Sequence, residues 1–221
     1  MPGLIEALEE CWHNKKSAVW IIILAAGFSK RMGAPKILLP YHDGSLIRHV
    51  VQKATQAGVA GVIVVANPHF SDVINHIGGD QPVRLVWNDL ADLGMSTSLI
   101  KGIESLPSSA SAAVILLADQ PEIEPAVIQK IIDEYSRSSA SIIQAAYEGV
   151  PGHPVLFDRK WFPELLKSEG DQGGRNLIKT HADKRQLVYV SSSPPEDIDN
   201  PEDYLRLKRR AGVIHGDKTN R

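Results

Sequence analysis

The chain has 221 residues, a formal net charge of -2, 43% hydrophobic residues and one cysteine. This length suits one domain with a substantial core, and the nearly neutral charge supplies no basic surface for nucleic acid or an anionic membrane. The single Cys11 excludes an internal disulfide and a multi-cysteine zinc site, and no segment has the apolar length of a membrane span or a signal peptide, so we expect a cytoplasmic protein.

The chain begins with a predicted amphipathic helix. Leu4, Ile5, Leu8 and Trp12 recur at helical spacing, so residues 1–18 are expected to form an N-terminal helical extension. The main domain is predicted for residues 19–210, and residues 211–221 are predicted to be a C-terminal tail.

Within the main domain, apolar runs alternate with segments of helical period. The predicted strands are VWIIIL, GVIVVA, VRLVW, AAVILLA and ASIIQAAY, and the predicted helices are residues 45–57, 70–77, 96–106 and 124–137. Ser45 and Ser71 are predicted N-caps, and Gly58 and Gly78 are predicted helix stops. This alternation predicts an α/β fold with a mostly parallel sheet covered on both faces.

The pattern changes after Tyr147. The segment EGVPGHPVLF predicts a turn followed by an extended segment, and a helix is predicted from Asp158 onward. A glycine-rich loop, EGDQGGR, precedes a predicted helix over residues 174–181.

Residues at the strand ends are the first place to look for a ligand, because open α/β sheets bind ligands beyond the carboxyl ends of their strands. The first predicted strand ends in Ala-Ala-Gly, and Arg31, Gly33 and Lys36 follow in a short loop. Gly27 and Gly33 let the backbone approach an anion closely, and the two cations could neutralise phosphate oxygens. The spacing matches neither G-x-G-x-x-G nor G-x-x-x-x-G-K-[ST], so the alternative of a solvated basic turn stays open.

Asp119 ends the predicted strand AAVILLA, where a carboxylate is costly unless it meets a cation. Magnesium is the natural candidate beside phosphates, since it prefers oxygen ligands and binds through one or two carboxylates. Asp199 supplies a second acid. The alternatives are that Asp119 forms a turn with Pro121, and that Asp199 or Asn200 caps a helix beginning at the following proline.

Several motifs together resemble a known family, the MobA-like NTP transferases related to sugar-nucleotide pyrophosphorylases. The resemblance is carried by LAAGFSKRMGAPKILL and LLADQP, and the segments GMSTSL, GHPVLF, GDQGGR and DIDNPEDY resemble the branch that contains molybdenum cofactor cytidylyltransferase and a purine-catabolism protein required for xanthine dehydrogenase activity. It extends over residues 19–209 and implies a three-layer α/β/α nucleotidyltransferase fold, Rossmann-like and of GT-A type, with a mostly parallel mixed sheet.

The resemblance also implies a reaction. A magnesium-dependent enzyme of this branch transfers CMP from CTP to molybdopterin bearing molybdenum, which gives the cytosine dinucleotide cofactor and pyrophosphate for a xanthine-dehydrogenase-type recipient. Relatives that transfer GMP have Leu-Ala-Gly-Gly where this chain has Leu24-Ala25-Ala26-Gly27, which favours CTP. Guanylyl transfer, cytidylyl transfer to another phosphorylated small molecule, and a non-catalytic carrier of molybdenum cofactor remain open.

Carried over by resemblance, three residues are expected to be catalytic: Lys36, Arg31 and Asp119. Those expected to bind nucleotide are Leu24, Ala25, Ala26, Gly27, Arg31, Lys36, Asn88, Gly94, Ser96 and Ser98. Those expected to hold Mg²⁺ are Asp119 and Asp199, and those expected on the pterin side are Gly152, His153, Pro154, Asp171 and Arg175. His153 could instead shape the turn before Pro154. Gly174 and Asn200 stand where the family more often has alanine and threonine.

Overall fold

The computed structural model describes residues 18–29, 31–77 and 83–212. The strands within these ranges are β1 (Val19–Ala25), β2 (Pro40–Tyr41), β3 (Gly44–Ser45), β4 (Gly61–Ala66), β5 (Val83–Trp87), β6 (Ala112–Leu117), β7 (Ile142–Tyr147), β8 (Val150–Asp158) and β9 (Arg185–Val190).

The α-helices in the described part of the chain are α1 (Leu46–Thr55), α2 (Val73–His76), α3 (Met95–Glu104), α4 (Pro125–Arg137), α5 (Phe162–Leu165), α6 (Arg175–Thr180) and α7 (Pro201–Arg210). Short 3₁₀ helices lie at Lys36–Leu38, Pro68–Phe70, Ala91–Leu93, Arg159–Trp161, Gly170–Gln172 and Ala182–Lys184. No helix in the described ranges combines the length and the hydropathy required to cross a bilayer.

The main sheet has the strand order β5-β4-β1-β6-β8-β7-β9. Its neighbouring strands pair in parallel except around β8, which is antiparallel to both β6 and β7. Strands β2 and β3 form a separate antiparallel pair. The predicted mostly parallel, mixed sheet is therefore confirmed.

Side chains of the central strand alternate between two hydrophobic layers. In β1, Ile21 and Ile23 pack in the cluster that contains apolar residues of α1, α2 and α4, whereas Ile22 packs with residues of α3, α5 and α6. This two-residue alternation is what a sheet buried on both faces requires. The molecule is accordingly a three-layer α/β/α structure.

Local sequence signals explain where the helices begin. Ser45 caps α1, because its side-chain oxygen accepts a hydrogen bond from the backbone N–H of Arg48 at 3.4 Å. Proline occupies the first position of α4 and of α7, where its missing N–H costs no helical hydrogen bond. Helix α7 packs Leu207 against Tyr41 and Leu46 in a third, smaller hydrophobic cluster.

The structure corrects two predictions about local elements. The helix predicted for residues 70–77 covers only α2, and Asp72 rather than Ser71 precedes it, because a 3₁₀ turn over Pro68–Phe70 occupies the earlier residues. The edge strand β9 was not predicted, since its run RQLVYV has neither the continuous apolar character of the central strands nor a strict polar–apolar alternation. The predicted N-terminal helix, Cys11, Gly78 and residues 213–221 lie outside the described residues.

The topology brings several loops to one edge of the sheet. Strands β1, β4, β5 and β6 run parallel, so the segments that follow them lie side by side beyond their carboxyl ends. These segments contain Ala26–Gly27, Asn67, Asn88 and Asp119.

Candidate active site

A cavity of about 390 Å³ opens at this edge of the sheet, between the segments that follow β1, β5 and β6. We call it the first cavity. It is lined by Leu24, Ala25, Ala26, Gly27, Phe28, Ser29, Lys36, Ile37, Ala91, Asp92, Gly94, Met95, Ser98, Leu117, Ala118, Asp119, Asp171 and Asp199. The cavity thus joins the loop after β1 to both predicted metal ligands.

The loop after β1 is held in shape by its own hydrogen bonds. Ser29 has a positive φ of 52° and accepts hydrogen bonds from two backbone N–H groups: its side chain from Lys36 at 3.0 Å and its carbonyl from Met32 at 2.8 Å. Ile37 is buried and anchors the following 3₁₀ turn. Lys36 therefore leaves a fixed backbone and extends its side chain into the first cavity.

The ammonium group of Lys36 bridges two carboxylates that are distant in sequence. Its Nζ donates to Oδ2 of Asp119 at 2.6 Å and to Oδ1 of Asp199 at 2.9 Å. The guanidinium of Arg31 lies 3.0 Å from the other oxygen of Asp199. Two cations and two anions consequently meet at one end of the first cavity, which we call the Lys36 cluster.

Opposite charges in this cluster stabilise each other. Burial by itself lowers the pKa of Lys36, but the charges and hydrogen bonds of Asp119 and Asp199 outweigh that effect and raise it. The hydrogen bond from Lys36 holds the pKa of Asp199 below its ordinary value; burial opposes this shift, and the charges of Lys36 and Arg31 add to it. Lys36 and Asp199 are therefore both ionised at neutral pH.

Asp199 does not cap α7, because Asn200 performs that role. The side-chain oxygen of Asn200 accepts hydrogen bonds from the backbone N–H groups of Glu202 and Asp203 at 2.9 and 3.0 Å. The backbone N–H of Ile198 donates to the carbonyl of Asp119 at 3.1 Å, which holds the two acidic segments together. The carboxylate of Asp199 is thus available to a cation.

The position of the Lys36 ammonium tests whether a divalent metal would fit here. A single cation already lies within hydrogen-bonding distance of both Asp119 and Asp199, so the two carboxylates converge on one point. The described residues contain no group of three or more His, Cys, Asp or Glu side chains arranged for a metal. Two carboxylates suffice for Mg²⁺ where substrate phosphates and water complete its coordination.

Four residues between the end of β5 and the first turns of α3 are predicted to bind nucleotide: Asn88, Gly94, Ser96 and Ser98. Gly94 and Ser98 line the first cavity, but Asn88 and Ser96 do not. Asn88 is fully buried; its amide donates to Thr97 Oγ1 at 2.9 Å and to Ser98 Oγ at 3.0 Å. The side-chain carbonyl of Asn88 accepts a hydrogen bond from the backbone N–H of Leu90 at 3.1 Å. Asn88 therefore stabilises the loop between β5 and α3 by internal hydrogen bonds and does not face the first cavity.

A second cavity of about 290 Å³ lies beside the first. Leu24, Met95, Leu117 and Asp171 line both cavities, so they are neighbouring compartments. Of the residues predicted on the pterin side, Gly152, His153, Asp171 and Arg175 line this second cavity. Pro154 is buried and does not line it.

His153 and Asp171 have structural partners at the second cavity. Nδ1 of His153 lies 3.3 Å from the carbonyl oxygen of Ile115, and burial lowers the pKa of its ring, so His153 is neutral at pH 7. Oδ1 of Asp171 accepts a hydrogen bond from the backbone N–H of Met95 at 3.2 Å, at the start of α3. Asp171 therefore links the loop before α6 to the loop that closes the first cavity.

Other polar residues that line the second cavity were not among the predicted site residues: Gln120, Gln144, Gln172 and Asp197. Gln120 donates to Asp197 at 2.8 Å, and Gln144 donates to the carbonyl of Gly152 at 3.3 Å. Gln144 could have been noticed as the one polar residue in the apolar run SIIQAAY after its first serine. Gln120 directly follows Asp119, and Asp197 precedes Asp199 by two residues.

Comparison with known proteins identifies the domain. Residues 21–185 match the model of the MobA-like NTP transferase domain. The chain is 27% identical to nicotine blue oxidoreductase of Paenarthrobacter nicotinovorans over 84% of this chain and 94% of that protein. It is 27% identical to the purine catabolism protein PucB of Bacillus subtilis over 85% of this chain and 95% of that protein. It is 23% identical to the molybdenum cofactor cytidylyltransferase of Escherichia coli over 88% of this chain and 97% of that protein.

Solved structures agree with this assignment. Rv0371c of Mycobacterium tuberculosis H37Rv is 31% identical and superposes with a TM-score of 0.77, covering 86% of this chain and 97% of that one. A complex of the same protein with manganese superposes with a TM-score of 0.73 at 30% identity, covering 86% of this chain and 98% of that one.

Proposed function

The chain belongs to the MobA-like NTP transferases and is a nucleotidyltransferase, and from this premise we propose that it transfers CMP from CTP to the molybdopterin form of molybdenum cofactor. The products are the cytosine dinucleotide cofactor and pyrophosphate, and the recipient is an enzyme of the xanthine dehydrogenase type. Support comes from two named relatives, a molybdenum cofactor cytidylyltransferase and a purine catabolism protein.

The observation that carries the proposal is the Lys36 cluster. Asp119 and Asp199 converge on one cation position at the end of the first cavity, and Lys36 and Arg31 stand beside them. A triphosphate with a divalent ion presents the complementary charges, because its oxygens pair with the cations and its metal with the carboxylates. A manganese complex is known for Rv0371c, and we propose Mg²⁺ as the metal here.

The residues of the cluster suit a reaction between two anions. The acceptor in this proposal is a phosphate monoester, which is largely ionised near neutral pH and needs no general base to attack the α-phosphorus. The requirement is instead to reduce repulsion between acceptor and donor phosphates. Mg²⁺ bound by Asp119 and Asp199 would supply charge neutralisation at the phosphates.

Lys36 and Arg31 supply the remaining positive charge. Once a triphosphate enters, the ammonium of Lys36 can exchange its carboxylate partners for phosphate oxygens without leaving the first cavity. Arg31 is largely exposed and pairs with Asp199, so its guanidinium can likewise turn from this carboxylate to a phosphate oxygen. Both cations then stabilise charge that develops on the transferring phosphate and on the leaving pyrophosphate.

The arrangement of the two cavities supports separate sites for donor and acceptor. The first holds the β1 loop and the Lys36 cluster, which suits the nucleotide. The second contains Arg175 and the neutral His153 together with the amide side chains of Gln120 and Gln144, which suits a polar heterocycle. Ala26 lines the first cavity with a methyl group that the Leu-Ala-Gly-Gly relatives lack, which supports cytosine as the smaller base.

The experiment is magnesium-dependent pyrophosphate release with freshly liberated molybdenum cofactor, in which CTP, GTP and ATP are compared. Release with CTP alone supports the proposal. Pyrophosphate release with GTP would keep the proposed mechanism but would show that GMP is transferred in place of CMP. Cofactor binding without release for any nucleotide makes the protein a carrier.

Two further arms separate the remaining alternatives. Release that proceeds with a sugar or polyol phosphate in place of the cofactor would replace the acceptor. Because one relative is named an oxidoreductase, oxidation of NADH and NADPH is followed in the same samples. Consumption of either without pyrophosphate release would overturn the transferase proposal.

A further inference from the structure

Asp203 is nearly buried, lies outside both cavities, and contacts the backbone that carries Asp199. One oxygen of its carboxylate accepts hydrogen bonds from the backbone N–H groups of Asp199 at 2.8 Å and of Asn200 at 3.0 Å. The side-chain oxygen of the neighbouring Asn200 accepts a hydrogen bond from the backbone N–H of Asp203, so the two side chains form a reciprocal capping box. The backbone of Asp199 is therefore fixed by a buried negative charge.

The second oxygen of Asp203 begins a chain of ion pairs. It accepts from Arg206 Nη2 at 2.6 Å, and Arg206 also contacts Glu196. Glu196 pairs in turn with Arg210 Nη1 at 2.7 Å, and Nη2 of Arg210 pairs with Glu122 at 2.7 Å. Alternating charges thus run along α7 from one acidic segment to another.

The two ends of this chain are the segments that carry the candidate metal ligands. Glu122 lies three residues after Asp119 in the segment that follows β6, and Asp203 holds Asp199. Isolated surface ion pairs contribute little, but connected pairs with an Arg shared between two carboxylates can fix geometry. The same two segments are also joined by the hydrogen bond from Ile198 to Asp119.

We propose that Asp203 is a positioning residue for the metal site: its carboxylate fixes the backbone of Asp199, and the Arg206–Glu196–Arg210–Glu122 chain holds that segment at a constant distance from Asp119. This inference rests on the proposed function, since it assigns a task to the site at which Mg²⁺ is proposed. Groups that orient metal ligands typically change metal affinity by about 10- to 100-fold when they are removed.

The test is Mn²⁺ binding, measured by electron paramagnetic resonance with CTP present, for wild type, Asp203→Asn and Glu202→Gln. Glu202 is the matched control, because it is exposed in the same helical turn and its loss removes the same charge near the same helix N-terminus. We expect Asp203→Asn to weaken Mn²⁺ binding by about 10- to 100-fold. Glu202→Gln should stay within about twofold of wild type, because it orients no ligand.

A kinetic readout separates positioning from a general loss of structure. Asp203→Asn should require a higher metal concentration for half-maximal turnover, while most of kcat returns at saturating metal. Melting temperatures of both variants measure the loss of the helix cap. If Asp203→Asn does not fold, Arg206→Met replaces it, since that change breaks the ion-pair chain but leaves the hydrogen bonds to Asp199; it should weaken Mn²⁺ binding in the same direction.

Two failures can be told apart. If wild type binds Mn²⁺ with CTP and Asp203→Asn binds it equally well, the positioning role is wrong while the proposed function stands. If wild type binds no Mn²⁺ with or without CTP, both are wrong.

Discussion

Replacing Lys36 by methionine should strengthen metal binding in the absence of nucleotide and should reduce turnover. The ammonium of Lys36 occupies the point where Asp119 and Asp199 converge, so it competes with a metal in the absence of nucleotide. Its removal should tighten nucleotide-free metal binding. The same removal should reduce turnover, because the ammonium is then missing from the phosphates in the transition state.

The size of the first effect follows from the contacts that are lost. Hydrogen bonds to charged groups contribute about 1.5–3 kcal/mol each. Two of them therefore set an upper limit of about 3–6 kcal/mol on the free energy that a metal must supply to displace the Lys36 ammonium. The Lys36 side chain is 13% exposed, but those of Asp119 and Asp199 are 20% and 39% exposed, so water screens part of this energy. We therefore expect nucleotide-free metal binding to tighten by about 10- to 100-fold, or about 1.4–2.8 kcal/mol.

The assay titrates Mn²⁺ without nucleotide against wild type, Lys36→Met and Lys130→Met. Lys130 is exposed on α4, so its replacement makes the same change in net charge away from the cluster. Turnover of Lys36→Met should fall by about 10²- to 10³-fold at saturating CTP. Unchanged or weaker Mn²⁺ binding by a folded Lys36→Met protein would refute the idea that Lys36 and the metal share one position.

Three further changes test other parts of the molecule. Asp119→Asn should weaken Mn²⁺ binding and lower turnover by about 10²- to 10³-fold while the protein still unfolds in a cooperative transition, as read by calorimetry. Gly94→Ala should destabilise the protein by about 1–3 kcal/mol in urea, since φ is 111° and a Cβ would lie 2.7 Å from the carbonyl of Gly170. Tyr135→Phe should lower the free energy of unfolding by about 1.5–3 kcal/mol at pH 8, because the Tyr135 hydroxyl donates to Asp158 at 2.8 Å. This loss of stability should become smaller above about pH 10.

The pH dependence of the last prediction follows from the direction of the pKa shift. Burial, followed by the hydrogen bond to Asp158, raises the folded-state pKa of Tyr135 above its ordinary value of 10.0. The contribution of the Tyr135 hydroxyl to the free energy of unfolding is therefore complete below about pH 10, and it is lost as the pH rises from there through the folded-state pKa. If the free energies of unfolding of wild type and Tyr135→Phe differed by the same amount from pH 8 to 11, this reasoning would be contradicted.

Each of the other two predictions has a matched control. Glu104→Gln removes an exposed carboxylate at the end of α3 and should leave metal binding unchanged. Gly149→Ala places alanine at a φ of 84° with no atom within 4 Å, so it measures backbone strain without crowding. Equal destabilisation by Gly94→Ala and Gly149→Ala would show that the contact with Gly170 contributes nothing.

The sheet could be predicted from sequence because its central strands are continuous apolar runs. Such runs are typical of parallel strands that helices bury on both faces. The convergence of the charged groups needed the topology as well. Lys36 is 83 residues from Asp119 and 163 from Asp199, so no local pattern relates them. Their common position follows from the neighbouring places of β1 and β6 in the sheet and from the return of the chain after β9.

Sequence alone does not show which way a polar side chain points, because its direction depends on packing. Asn88 follows β5 as a ligand-binding residue would, yet its amide hydrogen-bonds to two side chains of α3 and to the backbone of the intervening loop. The departure at position 174 also has a packing explanation, because a Cβ there would lie 2.8 Å from the ring of Phe157. Glycine at this position is matched to Phe157, which lies on β8 and is distant in sequence from the loop that contains Gly174.

The charge balance of the Lys36 cluster explains why one set of side chains can serve both substrate and metal. Lys36 and Arg31 carry two positive charges against the two negative charges of Asp119 and Asp199, so the cluster is neutral when the four are paired. A divalent ion alone would have to displace Lys36, and a triphosphate alone would leave both carboxylates facing anionic oxygens. When the two arrive together, the cations can turn to phosphate while the carboxylates turn to the metal, so each of the four side chains keeps a partner of opposite charge. The geometry therefore favours joint binding of nucleotide and metal over binding of either one alone.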